Sequence, residues 1–217
     1  MTSEEIKEIL EGCGAIWRHD GNPENPHAEL TSGLCSDGFV GCMRALRFPN
    51  VCEIIAIQLA KKLMDSEVIR LDFVVGAPYG GMTLANEVAK TYGAEFVFIE
   101  KDPTDPTGRK MIWRGDTLPR GATGLRVDDV LTTGGSVREM GMVLRRDNEE
   151  PINLLPITGL IVHRPPVSPV SYGDFEVTSL LEIPGIRTFE PDQCPLCKAG
   201  SRRLRPKRNW QELTGKS

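Results

Sequence analysis

A strand, a turn and a helix in direct succession constrain the fold of this chain more than any other feature. TGLRVDDVL (123–131) is an apolar run of strand length, and GSVREMGMVLRR (135–146) repeats its apolar residues at helical spacing. The turn TTGGS (132–136) joins them. Strands and helices alternate in the same way along much of the chain, which predicts a largely parallel sheet with helices on both faces.

The rest of the chain supplies the other elements of such a sheet. Short apolar runs predict further strands at 71–78, 94–100, 151–163 and 175–183. Helical spacing predicts helices at 50–65 and 81–93, the first with Asn50 as its cap. Thr2 and Glu5 have capping-box spacing for a first helix. Since ligands bind beyond the carboxyl ends of parallel strands, residues 76–81 and 128–136 are expected at the site.

Composition and charge exclude several classes of function. The chain has 217 residues, a net charge of −4 and a pI of about 5.5, which argues against binding nucleic acid or an anionic membrane by bulk charge. The sequence has no run of about 18 apolar residues, and its acidic start MTSEEIKEIL lacks the features of a signal peptide. Six cysteines in a chain of this length predict reduced thiols in a cytoplasmic protein.

Two adjacent carboxylates and a hydroxyl-glycine turn predict a site for a sugar phosphate. Asp128 and Asp129 close a strand, where both can reach ligand hydroxyls or a hydrated divalent cation, although neighbouring side chains on a strand point to opposite faces. In the turn that follows, glycines free backbone N–H groups to face an anion, and the next helix adds its N-terminal dipole. The alternative is an ordinary strand-turn-helix in which these residues only form caps.

The run VDDVLTTGGS resembles the phosphoribosyl-pyrophosphate (PRPP) signature of the phosphoribosyltransferase family. The resemblance implies the α/β type I phosphoribosyltransferase fold, a Rossmann-like parallel sheet flanked by helices with a small hood from the N- and C-terminal segments. It implies Mg²⁺ carried by PRPP, with no metal ligand expected from the protein, and displacement of pyrophosphate from ribose C1 by a nitrogen nucleophile. Asp128 and Asp129 would be catalytic and contact the ribose. The turn 132–136, called the phosphate loop below, would bind the 5′-phosphate through Thr132, Thr133, Gly134, Gly135 and Ser136.

A second glycine-rich loop, residues 77–81, lies in VVGAPYGGMTLA. Alone, it is explained by an ordinary strand-to-helix turn. Beside the PRPP signature it resembles the family's pyrophosphate loop, which implies pyrophosphate binding by Ala77, Pro78, Tyr79, Gly80 and Gly81. Orotate phosphoribosyltransferases often carry a lysine in this loop where the chain has Gly80, so backbone amides, metal or other basic residues must meet the pyrophosphate charge.

Basic residues in FIEKDPTDPTGRKMIWRG (98–115) are candidates for that role. The Pro, Asp, Thr and Gly content of 101–110 predicts an exposed, mobile loop that can close over PRPP and exclude water. The segment resembles the catalytic loop of orotate phosphoribosyltransferases, which implies Lys101 as a catalytic residue and Arg109 and Lys110 as pyrophosphate ligands. A solvated loop with surface charge is the alternative.

Two segments bear on the identity of the acceptor base. HAELTSGLCSDGF resembles the TSG…S hood segment of orotate phosphoribosyltransferases, which implies base contacts from Thr31, Ser32, Gly33 and Phe39. LIVHRPP places Arg164 at a strand end, where a guanidinium suits the carboxylate of orotate. Lysine is common in the family where Thr31 stands and an acid where His163 stands, so a different base stays open.

A cysteine pair and a basic run follow residue 190. CPLC (194–197) has metal-ligand spacing, but a zinc site needs four ligands, so Cys35, Cys42 or His163 would have to fold against it. The basic run KAGSRRLRPKRNW (198–210) is interpreted as a disordered tail or a subunit contact rather than a nucleic-acid site.

Together, these features predict an orotate-type phosphoribosyltransferase that converts PRPP and orotate into orotidine 5′-phosphate and pyrophosphate in pyrimidine biosynthesis. The expected division is an N-terminal segment and hood (1–48), a phosphoribosyltransferase core (49–163) and a C-terminal strand with the CPLC segment and basic tail (164–217). The resemblance implies a cytoplasmic homodimer whose mobile loop reaches the partner's site, with no nucleic-acid or membrane partner. The alternatives are a transferase for a purine or other base and a non-catalytic PRPP-binding regulator.

Overall fold

The computed structural model describes residues 1–107, 110–165 and 171–215. The helices are α1 (Ser3–Gly12), α2 (Met43–Leu46), α3 (Pro49–Asp65), α4 (Gly80–Tyr92), α5 (Gly135–Asp147), α6 (Pro195–Lys198) and α7 (Trp210–Thr214). The strands are β1 (Ile16–Arg18), β2 (His27–Glu29), β3 (Cys35–Ser36), β4 (Gly38–Val40), β5 (Phe73–Gly76), β6 (Glu95–Phe98), β7 (Glu100–Lys101), β8 (Met111–Ile112), β9 (Thr123–Leu131), β10 (Asn153–His163), β11 (Glu176–Glu182), β12 (Thr188–Phe189) and β13 (Arg203–Leu204). Within these ranges, none of the helices has the length and apolar character needed to span a bilayer.

A five-stranded parallel sheet forms the centre of the fold, in the order β11-β10-β9-β5-β6. After β5 the chain crosses through α4 to β6 on one side, and after β9 it crosses through α5 to β10 on the other. The carboxyl ends of β5 and β9 are therefore the switch point of the sheet. The loops that follow these two strands diverge there and leave a crevice for a ligand.

Helices cover both faces of this sheet, as the sequence predicted. One core joins α1, α3 and α4 to the sheet and includes Ile6, Leu59, Leu84, Val127 and Ile161. The other core lies under α5 and includes Phe73, Val75, Met140, Leu144 and Leu160. Because central strands are buried on both faces, β5 consists of the fully buried sequence FVVG and does not alternate apolar with polar residues.

Segments from the N-terminal and C-terminal parts of the chain build the hood, defined here as residues 16–40 and 188–214. Strand β2 pairs in parallel with β13 and antiparallel with β3, which in turn pairs with β12. Helix α7 packs on this unit, since the rings of Phe39 and Trp210 are 5.9 Å apart between centroids. Residues 198–210 thus include the end of α6, the paired strand β13 and the start of α7, and the expectation of a disordered tail is wrong for them. The alternative of a subunit contact stays a prediction.

Most predicted elements are confirmed, with local differences. Helix α1 has the predicted capping box between Thr2 and Glu5, and β9 has the predicted bounds. Asn50 is not the cap of α3, because that helix begins one residue earlier at Pro49. Proline suits the first helical position since the N–H that it lacks would have no intrahelical acceptor there. At the two ends of the predicted mobile loop (101–110), β7 and β8 form a short antiparallel pair, and the mobility itself stays a prediction.

Candidate active site

A cavity of about 360 Å³ lies at the carboxyl end of β9. Its wall contains Asp128, Lys101 and all five residues of the phosphate loop. Two larger clefts of about 930 Å³ each, one beside α1 and one beside Tyr172, include neither acid of the pair and no part of the phosphate loop. The structure therefore brings Asp128 and the phosphate loop, both predicted to bind a sugar phosphate, around one space, whereas Asp129 is not part of the cavity wall.

The phosphate loop turns sharply from β9 into α5. Gly134 has φ +79°, a conformation that favours glycine, and a Cβ at this position would lie 2.8 Å from Cδ1 of Tyr172. Helix α5 begins at Gly135, so the amides of its first turn have no intrahelical acceptor and lie at the positive end of the helix dipole. A Cβ at Gly135 would meet open space. This geometry suits a bound anion.

Two side chains hold carbonyl groups of the phosphate loop. The Tyr172 hydroxyl donates to the carbonyl oxygen of Thr132 over 2.8 Å, and Nη2 of Arg138 donates to that of Thr133 over 2.6 Å. The sequence analysis predicted a role for neither Tyr172 nor Arg138. No spacing motif marks them, and Tyr172 is brought to the loop only by the packing of the chain beyond β10. The loop therefore has its conformation set by protein donors.

Two residues suggested as partners of the CPLC pair lie elsewhere. Nε2 of His163 is 2.9 Å from the Tyr172 hydroxyl, and its Nδ1 is 3.2 Å from Oε1 of Glu182. Because the Tyr172 proton is donated to the phosphate loop, the hydroxyl accepts from His163. Cys42 is buried behind the acid pair, where its thiol donates to the carbonyl oxygen of Asp129 over 3.8 Å. Both residues thus contact the site near β9, His163 through the Tyr172 hydroxyl and Cys42 through the Asp129 carbonyl oxygen.

Asp128 is buried and Asp129 is half-buried, and burial and mutual repulsion disfavour the charged form of Asp128. Asp128 is 7% exposed and lines the cavity, and the backbone N–H of Asp129 donates to its Oδ1 over 2.8 Å. Burial, and then repulsion by Asp129, raise the pKa of the Asp128 carboxyl well above its usual range, while the charge of Lys101 opposes this rise. Burial also raises the pKa of Asp129, against hydrogen bonds and the charge of Lys207. Hydroxyl donors or a cation would stabilise the charged pair.

The second loop packs directly against the acid pair. A Cβ on Gly80 would overlap the Asp129 carboxylate, and a Cβ on Gly81 would lie 3.1 Å from Oδ1 of Asp128. The two glycines therefore allow the loop after β5 to approach the end of β9. Of the other predicted pyrophosphate-binding residues in this loop, Ala77 is buried, Pro78 is half-buried and Tyr79 is exposed. Among the described residues, the cavity wall takes in no member of this loop.

Lys101 is the predicted basic residue that reaches the cavity. It lies in β7 and lines the wall together with Asp128. Lys110 is exposed, and its backbone N–H donates to Oδ2 of Asp105 over 2.8 Å. Arg109 lies outside the described residues. The sequence also offered Arg114, which is exposed, and among the described cations of this segment Lys101 is the one in the cavity wall.

The predicted base-binding residues of the hood lie outside the described cavity wall. Thr31, Ser32 and Gly33 form the exposed turn between β2 and β3. Phe39 is half-buried and meets the Trp210 ring edge-on, and the Arg44 guanidinium lies 4.9 Å from the centre of the Trp210 ring. The sequence analysis did not predict that Trp210 contacts Phe39, because residues 198–210 were interpreted as a tail or a subunit contact.

Arg164 follows β10 at the same edge of the sheet as the phosphate loop. Its backbone N–H donates to the carbonyl oxygen of Leu131 over 2.9 Å. Burial lowers the pKa of its guanidinium, and the carboxylate of Asp37 opposes this effect. Since Asp37 lies between β3 and β4, the side chain of Arg164 is within electrostatic reach of the hood.

Comparison with known proteins identifies the family. Residues 49–155 match the phosphoribosyl transferase domain. An orotate phosphoribosyltransferase from Caldanaerobacter subterraneus subsp. tengcongensis is 34% identical over 95% of this chain and 97% of its own length. One from a Thermoanaerobacter species is 35% identical, again over 95% of this chain and 97% of its own length. The chain belongs to the orotate phosphoribosyltransferase family.

Solved structures of phosphoribosyltransferases share the fold of this family member. An orotate phosphoribosyltransferase from Aeropyrum pernix has a TM-score of 0.63 at 21% identity, covering 82% of this chain and 93% of that chain. An adenine phosphoribosyltransferase from Thermoanaerobacter pseudethanolicus has a TM-score of 0.58 at 16% identity, covering 84% and 100%. At these identities the likeness concerns the fold alone, and it confirms the predicted type I phosphoribosyltransferase architecture.

Proposed function

We propose that this protein transfers the 5-phosphoribosyl group of PRPP to orotate, giving orotidine 5′-phosphate and pyrophosphate. The observation that carries the proposal is the single cavity in which a buried carboxylate, a lysine and a glycine loop at a helix start meet. The names of the relatives at 34% and 35% identity over 95% of the chain support orotate as the acceptor.

The phosphate loop would bind the 5′-phosphate of PRPP. The first-turn amides of α5 and the hydroxyls of Thr132, Thr133 and Ser136 are the donors. Tyr172 and Arg138 already hold the carbonyl groups of residues 132 and 133, so these acceptors are engaged by protein donors. A loop held in this way loses little conformational entropy when the anion binds.

The acid pair would bind the ribose and favour the positive charge that develops at its C1 atom. As pyrophosphate departs, C1 becomes oxocarbenium-like, and a nearby carboxylate held in place lowers the free energy of that state. Carboxylate oxygens are the ligands that Mg²⁺ prefers. Because burial raises the pKa values of Asp128 and Asp129, a nearby cation would stabilise their charged forms. The residues therefore fit a Mg²⁺–PRPP complex. Bound Mg²⁺ would supply neutralisation of the pyrophosphate charge.

Lys101 and the second loop would face the leaving pyrophosphate. A Cβ at Gly80 would overlap the Asp129 carboxylate, so this loop offers backbone groups at the position where related enzymes often use a lysine. Lys101, in the wall of the cavity, would provide the positive charge. Arg109 and Lys110 would add to it when the loop at 101–110 closes over PRPP and excludes water.

The hood would cover the acceptor base. Phe39 offers an aromatic face, and the turn of Thr31, Ser32 and Gly33 offers polar backbone groups. Arg164 is partly buried at the sheet edge, where a guanidinium can form two parallel hydrogen bonds with the carboxylate of orotate.

The proposal includes a homodimer in the cytoplasm. Ile54, Ile57 and Met64 of α3 are 42%, 45% and 40% exposed, and helical spacing places them on one face of that helix together with the exposed Lys61. Exposed apolar side chains grouped on one face are common at protein–protein interfaces. In the cytoplasm the six cysteines would be kept reduced. Sedimentation that detects only monomer at micromolar concentration would reject the dimer.

A panel of acceptor bases tests the proposed reaction. Purified protein with PRPP and Mg²⁺ receives orotate, uracil, adenine or hypoxanthine, and pyrophosphate release is measured. Calorimetry measures PRPP binding in parallel. We expect release with orotate, and loss of release in the Asp128→Asn variant. Release with only a different base would contradict the acceptor, and PRPP binding with no release from any base would favour a regulator.

A further inference from the structure

Four metal-binding side chains of the hood converge at one point. His27 in β2, Cys35 in β3, and Cys194 and Cys197 at the start of α6 each provide one ligand atom, and these four atoms lie within 4.8 Å of one another. They are called the thiol–imidazole cluster here. The cluster shares no residue with the wall of the cavity at β9.

Three of the distances within the cluster are close to those of a tetrahedral zinc site. Nε2 of His27 lies 3.4 Å from the sulfur of Cys197 and 3.7 Å from that of Cys194. The sulfurs of Cys35 and Cys197 are 3.6 Å apart. With Zn–S bonds of about 2.3 Å and Zn–N bonds of about 2.05 Å, a tetrahedron separates two sulfurs by about 3.8 Å and a sulfur from a nitrogen by about 3.6 Å.

Neighbouring hydrogen bonds orient His27 for ligation. The hydroxyl of Ser201 donates to the carbonyl oxygen of Asn25 over 2.7 Å, so its oxygen is free to accept from Nδ1 of His27, 2.8 Å away. The ring proton is therefore on Nδ1, and the lone pair of Nε2 points at the sulfurs. Histidine ligands of zinc are held in this way, with the second ring nitrogen donating to a fixed acceptor.

Burial makes the cluster a closed site. His27, Cys35 and Cys194 are 0% exposed, and Cys197 is half-buried. In the described structure the neighbours of the His27 Nε2 atom are thiols, which are weak hydrogen-bonding groups. The buried Nε2 atom of His27 therefore lacks a strong hydrogen-bond partner in the protein, which costs desolvation free energy. A cation bound by all four ligand atoms would remove this cost.

We propose that the thiol–imidazole cluster binds one Zn²⁺ as a structural Cys₃His site. Three sulfurs and one imidazole nitrogen are an established ligand set for structural zinc, and four protein ligands leave no open position for substrate or water. Soft sulfur ligands disfavour Mg²⁺ and Ca²⁺. Each thiol that binds the metal loses its proton to solvent.

The zinc would join the two chain segments that form the hood. Two ligands come from β2 and β3, and two come from Cys194 just before α6 and Cys197 within it; β13 and α7 follow. That C-terminal segment carries Trp210, which packs on Phe39, and Lys207, whose charge acts on Asp129. Loss of the metal is expected to loosen this segment. Its effect on the proposed reaction would be indirect, through the position of the hood.

The metal content of the purified full chain tests the proposal directly. Protein purified under reducing conditions without chelator should contain about one zinc per chain by plasma mass spectrometry. Cys35→Ser and Cys197→Ser should each retain less than about one tenth of it. Cys13→Ser is the matched control, because Cys13 is also a half-buried thiol but lies outside the cluster, and this variant should keep its zinc. Ser201→Ala should weaken zinc retention against a competing chelator by about 10- to 100-fold.

Wild-type measurements keep the proposal falsifiable if the variants fold poorly. Cobalt-substituted protein should show the thiolate-to-cobalt charge-transfer absorption of a tetrahedral site. Wild-type protein that contains no zinc and takes up neither Zn²⁺ nor Co²⁺ would overturn the proposal. A cobalt spectrum without thiolate bands, zinc content unchanged in both Cys35→Ser and Cys197→Ser, or a Cys35–Cys197 disulfide found by mass spectrometry under reducing purification would do the same.

Discussion

Removal of one oxygen atom at position 172 should loosen the phosphate loop without disturbing the packing around it. In Tyr172→Phe the ring remains, and with it the stacking on Phe175, where the ring centroids are 5.1 Å apart and the planes differ by 6°. The hydroxyl makes two hydrogen bonds, one to the carbonyl oxygen of Thr132 and one from Nε2 of His163. The substitution therefore isolates the support of the loop from the apolar contacts beneath it.

The two lost hydrogen bonds set the magnitude. Each contributes about 1 kcal/mol net, and His163 is 7% exposed, so its unpaired N–H adds a desolvation cost. We expect the free energy of unfolding to fall by about 2 kcal/mol, which lowers the melting temperature of a chain of this size by roughly 4–8 °C. About 1–1.4 kcal/mol of the loss acts on the loop conformation. The fraction of loops ready to bind falls by at most the corresponding factor, so the Kd of PRPP should rise by up to about 10-fold.

Calorimetric titration with PRPP and thermal unfolding are the assays, with Tyr92→Phe as the matched control. The Tyr92 hydroxyl also donates to a backbone carbonyl, that of Val68, over 2.8 Å, but it lies between α3 and α4, away from the cavity. The control should lose a similar stability and bind PRPP as the wild type does. Unchanged PRPP affinity in Tyr172→Phe, or an equal loss of affinity in Tyr92→Phe, would refute the reasoning.

Three further predictions concern the cavity. Asp128→Asn should lower kcat by about 10²- to 10³-fold. Without ligand, this variant should have a higher melting temperature than the wild type at neutral pH. Burial raises the pKa of the Asp128 carboxyl in the native protein, so the wild type loses stability as pH rises from the usual carboxyl range through that raised pKa, and asparagine removes this loss. Parallel melting-temperature curves against pH for the two proteins would contradict this. Lys101→Ala should raise the KM for PRPP in steady-state kinetics. The control Lys7→Ala removes a lysine of α1 that pairs with Glu4 and should leave the KM unchanged. Equal effects of the two substitutions would argue against a role of Lys101 in PRPP binding. Gly80→Ala should abolish turnover, since its Cβ overlaps the Asp129 carboxylate, and retained turnover would show that this overlap is relieved.

The family resemblance implied a frequent lysine in the second loop where this chain has Gly80, and the structure gives a reason for glycine in this chain. Position 80 is a glycine, and the carboxylate of Asp129 lies where a side chain would begin. A lysine at this position would need the acid pair or the loop to move. The positive charge expected near the pyrophosphate is instead available from β7, where Lys101 lines the cavity. In the proposed function, the charge of Lys101 therefore replaces the charge that a lysine at position 80 would provide.

Much of the fold could be predicted because its determinants are local. The apolar run of β9, the glycines after it and the helical spacing of α5 lie within 25 consecutive residues of the sequence, Thr123–Leu131 and Gly135–Asp147 with the turn between them. Backbone preferences and burial periodicity act over such short distances. The capping box of α1 was predicted for the same reason. Asn50 failed as a cap because cap preference is weak beside the fixed φ of Pro49, which begins α3.

The partners of the site could not be predicted, because they come from distant parts of the chain. Tyr172 and Arg138 support the phosphate loop, and no motif connects Tyr172 to residue 132. For the cysteine pair, the sequence offered Cys35, Cys42 and His163 as partners. The structure brings Cys35 and adds His27, whereas Cys42 and His163 lie behind the acid pair and the phosphate loop.

The sequence by itself determined the order of strands and helices, the switch from β9 to α5 and the type of group that such a turn can bind. These depend on neighbouring residues, whose backbone preferences and apolar spacing are written along the chain. Only the tertiary structure decided which acids are buried, which lysine lines the cavity and which four side chains form the thiol–imidazole cluster. Burial and long-range contacts arise when strands far apart in sequence pair side by side, and no local pattern carries that information.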